Sequence, residues 1–501
     1  MRFLPLLILF WVETAIGQSN PADTELSVAD MKSDFLYLRQ KLEQTHPGLY
    51  KHKDQPAMQR MMDSLESTID RPMSFTSFYQ KISFLIAEVR CEHTYATMGS
   101  RFNTLLKQWK MLPFQCFFAS DKPLIVVNGT PDNNIHPGDE IISINGRPID
   151  SILKSMYQFL PADGFMTSSK DHFLSSMNFG VAYNQFIEQP DRYDIVVRNN
   201  QGELISRSYT EDLNFAAINK HALKNPVNRA VLEASKRGDK IRKEKLRLTF
   251  ERDDSVAIMT IRSFSIDKEP FKKKIDGFFE TIAEKKPTDL VIDLSYNGGG
   301  EEELAAWLMS YLIDSPTSFM SNEYLIDTSD AMFSLSNVPD DVRKNKYVYI
   351  DSMKDGKSKA KITEYSMELQ TMMPPANAYS GRVWLYVNGG TASAASTFAA
   401  VAQSNKRAVI VGQETAGSFT GGGTALGLDL TLPASGIKTH TSIVYQEFAT
   451  SGKDGNRGVL PDYNYTPDFA AMIGNNREWI TFIMALREGH SLPARPQATG
   501  K

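Results

Sequence analysis

Apolar residues recur at helical spacing through the first hundred positions. Phe35, Leu38 and Leu42 form one series and Met58, Met61, Met62 and Leu65 another, which predicts amphipathic helices. Ser74 and Thr76 open a further helix that carries Phe78, Tyr79, Ile82, Leu85 and Ile86. His46-Pro47-Gly48 breaks the first helix from the second. From about 110 to 210 the pattern turns to strands and turns, with β-like runs at 124–127 and 195–197 and a turn at Asn199–Gly202. Residues 221–247 include the basic run Lys236-Arg-Gly-Asp-Lys-Ile-Arg-Lys-Glu-Lys245. A patch for an anionic partner is one reading of it, and a solvated linker is the commoner one. From 246 onward, strands at 256–261, 289–294, 382–387 and 407–411 alternate with helices at 268–285, 301–313 and 392–404. That alternation predicts an α/β domain with largely parallel strands.

The length of 501 residues corresponds to roughly three domains at about 150 residues each. With 42% hydrophobic and 23% charged residues, the chain is neither disordered, nor collagen-like, nor a disulfide scaffold. Lys+Arg is 55 against Asp+Glu 59, a net charge of −4, so the global basic field of a nucleic-acid binder is absent. The two cysteines, Cys91 and Cys116, allow at most one bridge. The start reads as a secretory signal peptide at 1–17: Met1-Arg2, an apolar run from Phe3 to Val12, then Ala15 and Gly17. Glu13 interrupts the run, and no later stretch approaches the ~18 apolar residues of a membrane span. The expectation is an exported protein, periplasmic or secreted, with no stable membrane insertion. The eight histidines show no H-E-x-x-H and no clustered ligand spacing, so no metal or other cofactor is expected.

Four stretches carry candidate chemistry. Ile135-His-Pro-Gly-Asp leads into an alternating strand and an Asn145-Gly146 hairpin turn. It is the most recognisable part of a PDZ-like module, which accepts a peptide as an added strand. Asp293-Leu-Ser-Tyr-Asn-Gly-Gly-Gly300 ends an apolar strand in three glycines before a helix. Neither phosphate-loop spacing is present, and backbone N–H groups here suit an oxyanion. Alone, this is more often a plain strand–helix turn. Tyr386-Val-Asn-Gly-Gly-Thr-Ala-Ser393 runs from a strand into an Ala-rich helix. Ser393 falls at the helix start, beside unsatisfied N–H groups, where N-capping by Thr391 or Ser393 is the ordinary alternative. Val89-Arg-Cys-Glu-His-Thr94 offers His93 as a base and Cys91 as an alternative nucleophile.

In this order the stretches resemble the tail-specific or C-terminal-processing serine peptidases of family S41, from about 28 to 470 and most closely at 289–300 and 385–417. His46-Pro47-Gly48-Leu49-Tyr50 resembles a His-Pro-x-x-Tyr stretch of its exported members. The resemblance implies a crotonase/ClpP-like α/β core and peptide-bond hydrolysis. It implies Ser393 as nucleophile, with an oxyanion hole from the glycines at Gly298 and Gly299 and the N–H of Ala394. Where the Ser–Lys form of the family carries its lysine, this chain has Ser418, and no lysine occurs between Lys406 and Lys438. The tricorn-like form takes its base from a segment ending in His-Ser/Thr, matched by His93-Thr94. Cys91-Glu92 replace the usual Asp-Gly there, and the Glu92 charge is expected to raise the pKa of His93. That form also has a glutamate shortly before G-V-x-P-D. Here Gly458-Val459-Leu460-Pro461-Asp462 is preceded by Asp454, one residue from the matching position.

The expected architecture is a multi-domain α/β chain. Its parts are a signal peptide at 1–17, an N-terminal helical domain at 26–105, a PDZ-like β-rich module at 106–215, a linker at 216–245, a protease core at 246–485 and a tail at 486–501. The expected function is an exported serine endopeptidase acting on protein or peptide substrates, with catalytic residues Ser393, His93 and Asp454. The alternative is a weak or inactive relative that binds peptides or apolar ligands, as the similar core of interphotoreceptor retinoid-binding protein does.

Overall fold

The computed structural model describes residues 23–489, apart from 120–121, 176–177, 212, 243, 348–349, 353–357, 361–365, 453–454 and 475–476. The signal-peptide reading and Asp454 therefore lie outside the described residues. Three helices, Val28–Thr45, Gln55–Ser67 and Phe75–Glu88, open the described chain. Each starts at a side chain that accepts an orphan N–H: Ser27 from Asp30, Asp54 from Ala57, and Ser74 from Ser77. Their buried faces hold the periodic residues Phe35, Leu38, Leu42, Met58, Met62, Phe78, Ile82 and Leu85.

The middle of the chain forms an antiparallel sheet in the order Phe114–Ala119, Lys122–Asn128, Glu140–Ile144, Tyr193–Arg198, Leu204–Tyr209. The strand-and-turn pattern hid three helices there, Ile149–Met156, Ser168–Leu174 and Asn178–Phe186. At the linker expected for 216–245, the chain forms helices Phe215–Lys224 and Arg229–Arg242. The Asn214 side chain caps the first, and Ile218, Ala222, Val231 and Ala234 are buried. Helical spacing of those four outweighs the high charge of the run that follows.

The largest parallel arrangement is a six-stranded sheet in the order Leu246–Glu251, Val256–Ile261, Asp289–Asp293, Arg382–Val387, Ala408–Gly412, Tyr463–Asn464. Its first ladder is antiparallel and the other four are parallel. Every residue of Val256–Ile261 and of Asp289–Asp293 is buried, as expected of strands covered on both faces. Phe271, Ile275 and Phe279 of helix Lys268–Lys285 share one cluster with Leu304, Leu308, Phe398 and Val401. On the other side, Trp479, Ile480 and Ile483 pack with Trp384 and Tyr386, the Trp479 and Tyr386 rings stacked at 4.6 Å. The helices expected at 301–313 and 392–404 are shorter, Glu302–Ser310 and Ala394–Ser404, because residues before each are used in loops. The register sets Asp293 beside Tyr386 and Val387 beside Gly412. The loops after these strands therefore leave the same edge of the sheet, where open α/β sheets place their sites.

The N-terminal and C-terminal parts are interlocked. Strand Tyr95–Thr97 adds to the hairpin Gly427–Thr431 and Lys438–Ser442. Asp34, fully buried in the first helix, accepts the N–H of Ala434 at 2.9 Å and of Ser435 at 2.7 Å. Cys91 and Cys116 are both free and buried, so the allowed bridge is not formed. Asp34→Ala strands the buried Ser435 N–H, costing about 1–3 kcal/mol, and the part-buried Ala434 N–H, costing less. Urea denaturation is expected to give a midpoint lowered accordingly at unchanged slope. An unchanged midpoint would mean that this tie contributes nothing to stability.

Candidate active site

Two loops at the strand ends are stitched together. Arg262 grips Asp293 with two bonds, 2.9 and 2.6 Å, and donates to the Ser295 carbonyl at 2.8 Å. Asn297 donates to the Ile261 carbonyl at 3.1 Å and accepts the Gly299 N–H at 2.9 Å. Asn388 Oδ1 accepts the N–H groups of Tyr296 and Gly390, both at 3.0 Å, and Thr391 Oγ1 donates to the Leu294 carbonyl at 3.0 Å. Gly299 has φ 91°. A Cβ there would lie 2.6 Å from Ser393 Cβ and 3.0 Å from the Ala394 nitrogen, so only glycine fits. Gly298 is exposed, with open space around it.

Ser393 precedes helix Ala394–Ser404 with φ 49° and ψ −131°, and its side chain caps no helix N–H. Thr391 Oγ1 is committed to Leu294 as well, so the capping alternative fails for both residues. A non-glycine residue in this conformation carries backbone strain. The strain holds the hydroxyl off the helix end, next to the Ala394 N–H and the positive end of the helix dipole. Behind it, a Cβ on Gly417 would be 2.7 Å from Ser396 Cβ and 3.4 Å from the Ser393 nitrogen.

His93 sits on a turn after helix Phe75–Glu88. The turn is held by Thr94, whose N–H donates to the Cys91 carbonyl at 3.1 Å and whose Oγ1 accepts the Ser442 N–H at 3.2 Å. His46 Nδ1 accepts the Gly48 N–H at 3.2 Å, so its Nε2 carries the proton toward Thr94 Oγ1 at 3.1 Å. The His-Pro-Gly stretch thus supports the His93 turn from behind. The Glu92 carboxyl faces the backbone N–H of Ser393 and lies 3.9 Å from His93 Nδ1. His93 Nδ1 is buried without a hydrogen-bond partner. Glu92 therefore joins the His93 turn to the Ser393 loop across 300 residues of sequence.

Burial pushes the Glu92 carboxyl up to about 7, against the Ser393 N–H. It lowers the His93 imidazole below its usual range, with the Asp163 charge opposing and His440 adding. This corrects the expectation that Glu92 raises the His93 pKa. Desolvation is the larger effect, and a carboxyl that keeps its proton to about pH 7 lends little charge below it. Burial also pushes the Cys91 thiol up to about 12, which leaves no thiolate near neutral pH and weakens Cys91 as a nucleophile.

Residues 255–465 match the model of peptidase family S41. Over these residues the chain is similar to family S41. The solved structures of mature CPAF and of mature CPAF complexed with lactacystin resemble most of the chain. Each is 16% identical, with TM-scores of 0.57 and 0.58, covering 93% and 92% of this chain and 99% and 98% of theirs. At that identity the likeness is one of fold. No curated protein matches the sequence.

Of the residues singled out in the sequence, the fold brings Gly298, Gly299, Ser393 and Ala394 together, with the His93 turn beside them through Glu92. No hydrogen bond between Ser393 and His93 is present. The Gly299 N–H is already taken by Asn297, so its role is to leave room. Three groups were missed. Asp163 accepts the N–H groups of Glu92 and Ser418, and His172 has its ring against Gly390 and 5.7 Å from that of Tyr296. Glu302 accepts from Thr397 Oγ1 at 3.2 Å, and Thr397 N–H donates in turn to the Ser393 carbonyl. Asp163 and His172 lie in no motif, and Glu302 ends the glycine stretch that begins at Asp293 without having been given a role. Among the described residues, no group of three His, Cys, Asp or Glu is placed to hold a metal.

Two measurements check this account. Ser393→Gly relieves the strained φ while Ser393→Ala keeps it, so the glycine variant is expected to melt higher, by the equivalent of roughly 1 kcal/mol. Burial pushes Glu302 up to about 8. Folded Glu302 therefore holds a proton that the unfolded chain has released from about pH 4.5, and stability falls as pH rises through that window. Glu302→Gln is expected to flatten the fall in Tm between pH 6 and pH 8; parallel curves for the two proteins would refute the shift.

Proposed function

We propose that the protein is an exported serine endopeptidase with Ser393 as nucleophile and His93 as general base. The observation that carries this reading is the place of Glu92, whose carboxyl faces the Ser393 N–H and lies 3.9 Å from His93 Nδ1. A strained serine against a glycine-only loop supports it. Neutral His93 takes the hydroxyl proton as Ser393 Oγ attacks the scissile carbonyl. Its lowered pKa keeps it neutral and ready at physiological pH. The tetrahedral oxyanion is stabilised by the N–H groups of Gly298 and Ala394. His93 then protonates the leaving amine, and water resolves the acyl-enzyme. Asp454 remains the family-implied third member. Residues 26–105 act as a helical domain that carries the base. Residues 106–215 act as a PDZ-like module that guides an extended peptide toward the core.

The test is mass spectrometry of an unstructured protein incubated with the mature chain and with Ser393→Ala. New peptide ends are expected with the first and not with the second. No cutting by either favours a binding protein on the same fold. Equal cutting by both removes Ser393 as the nucleophile.

A further inference from the structure

Between helices Ile149–Met156 and Ser168–Leu174, the segment Pro161–Met166 leaves the middle region and enters the site. It is fixed from both sides. Gly164 N–H donates to the Arg90 carbonyl at 3.2 Å and Phe165 N–H to the Asn456 carbonyl at 2.9 Å. The Arg90 guanidinium lies 4.8 Å over the Phe165 ring. Gly164 has φ 60°, and a Cβ on it would fall 2.3 Å from the Asn456 oxygen. Only glycine permits this seating, and it delivers Asp163, 6% exposed, into the interior.

There Asp163 Oδ1 accepts the Glu92 N–H at 2.9 Å and Oδ2 the Ser418 N–H at 3.3 Å. A Cβ on Gly422 would come within 3.0 Å of Oδ2, so the carboxylate is enclosed on that side too. The N–H it grips belongs to Glu92, the residue before His93. The charged and titratable groups facing His93 are Glu92 on its own turn, Asp163 on this segment and His440 on strand Lys438–Ser442. His440 is itself held by Asp429 at 2.8 Å. Glu92 is turned to the Ser393 N–H, and His440 opposes a positive His93.

We propose that Asp163 is the positioning residue for His93: it fixes the base turn through the Glu92 N–H and supplies the negative charge that stabilises the imidazolium formed when Ser393 attacks. The inference rests on the peptidase reading above. A buried carboxylate beside a general base favours its protonated form. Asp163 and His93 each favour the charged form of the other, while burial is the larger effect and pushes Asp163 up to about 7 and His93 below its usual range, so the charge is supplied as pH rises through about 7. The base is therefore completed by a segment outside residues 255–465.

Asp163→Asn removes the charge and keeps an acceptor for the Glu92 N–H. Its kcat is expected to fall about 10²-fold with KM little changed. The acid limb of its kcat/KM profile is expected to move to lower pH by about one unit, because His93 loses the charge that favours its proton. Asp163→Glu, which keeps the charge, is expected to recover part of both effects and covers the case in which Asp163→Asn does not fold. The second readout needs no cleavage: the His93 imidazole titration by NMR in Ser393→Ala, with and without Asp163→Asn, should show the same downward shift. An unmoved His93 titration overturns the inference whether or not the protein cleaves. Failure of the unmutated protein to cleave overturns the peptidase reading instead, and leaves the titration to judge Asp163.

Discussion

The site depends on one steric fact. Two loops from neighbouring parallel strands approach so closely that residue 299 has no room for a side chain, and the atom it would strike is Ser393 Cβ. That approach is what parallel strands in register make possible, since their carboxyl ends face the same edge. Arg262, Asn297, Asn388 and Thr391 are all spent on keeping it, each tying one loop to the other or to the strand beneath. The strained Ser393 backbone persists because this frame over-determines it.

Around that frame sits a cluster of carboxyls and histidines that water reaches poorly. Burial pulls Glu92, Asp163 and Glu302 toward their neutral forms and His46, His93 and His172 toward theirs. At neutral pH the cluster thus carries less charge than its composition suggests. Electrostatic effects inside such a region are larger than in water. A proton gained or lost by one member is felt by the next, and Glu92, Asp163 and His93 titrate as a group.

The parallel core was legible because its strands are continuous apolar runs and its helices keep a strict period. Ser393 and the glycine loop were legible for a related reason: small residues directly after such strands mark close approach. That the His93 turn lies beside the Ser393 loop was not written in any local pattern, and only the resemblance of ordered motifs suggested it. Asp163 left no trace because it lies in an irregular segment, fixed by backbone contacts that leave no period. Adjacency in sequence misjudged Glu92, since its charge state is decided by solvent exclusion. In the 216–245 stretch, composition suggested a linker while the spacing of Ile218, Ala222, Val231 and Ala234 already spelled helix.

The strand that follows His93 has its partner among residues 438–442. A chain emerging from the ribosome can form its N-terminal helices early, because their contacts are local. The histidine turn, in contrast, has nothing to pair with until more than four-fifths of the protein has been made, and Ser393 emerges late as well. Bringing together segments so far apart is slow, because loop closure precedes the contacts that reward it. The His93 turn therefore stays without its strand partner until residues 438–442 fold back onto the first hundred residues.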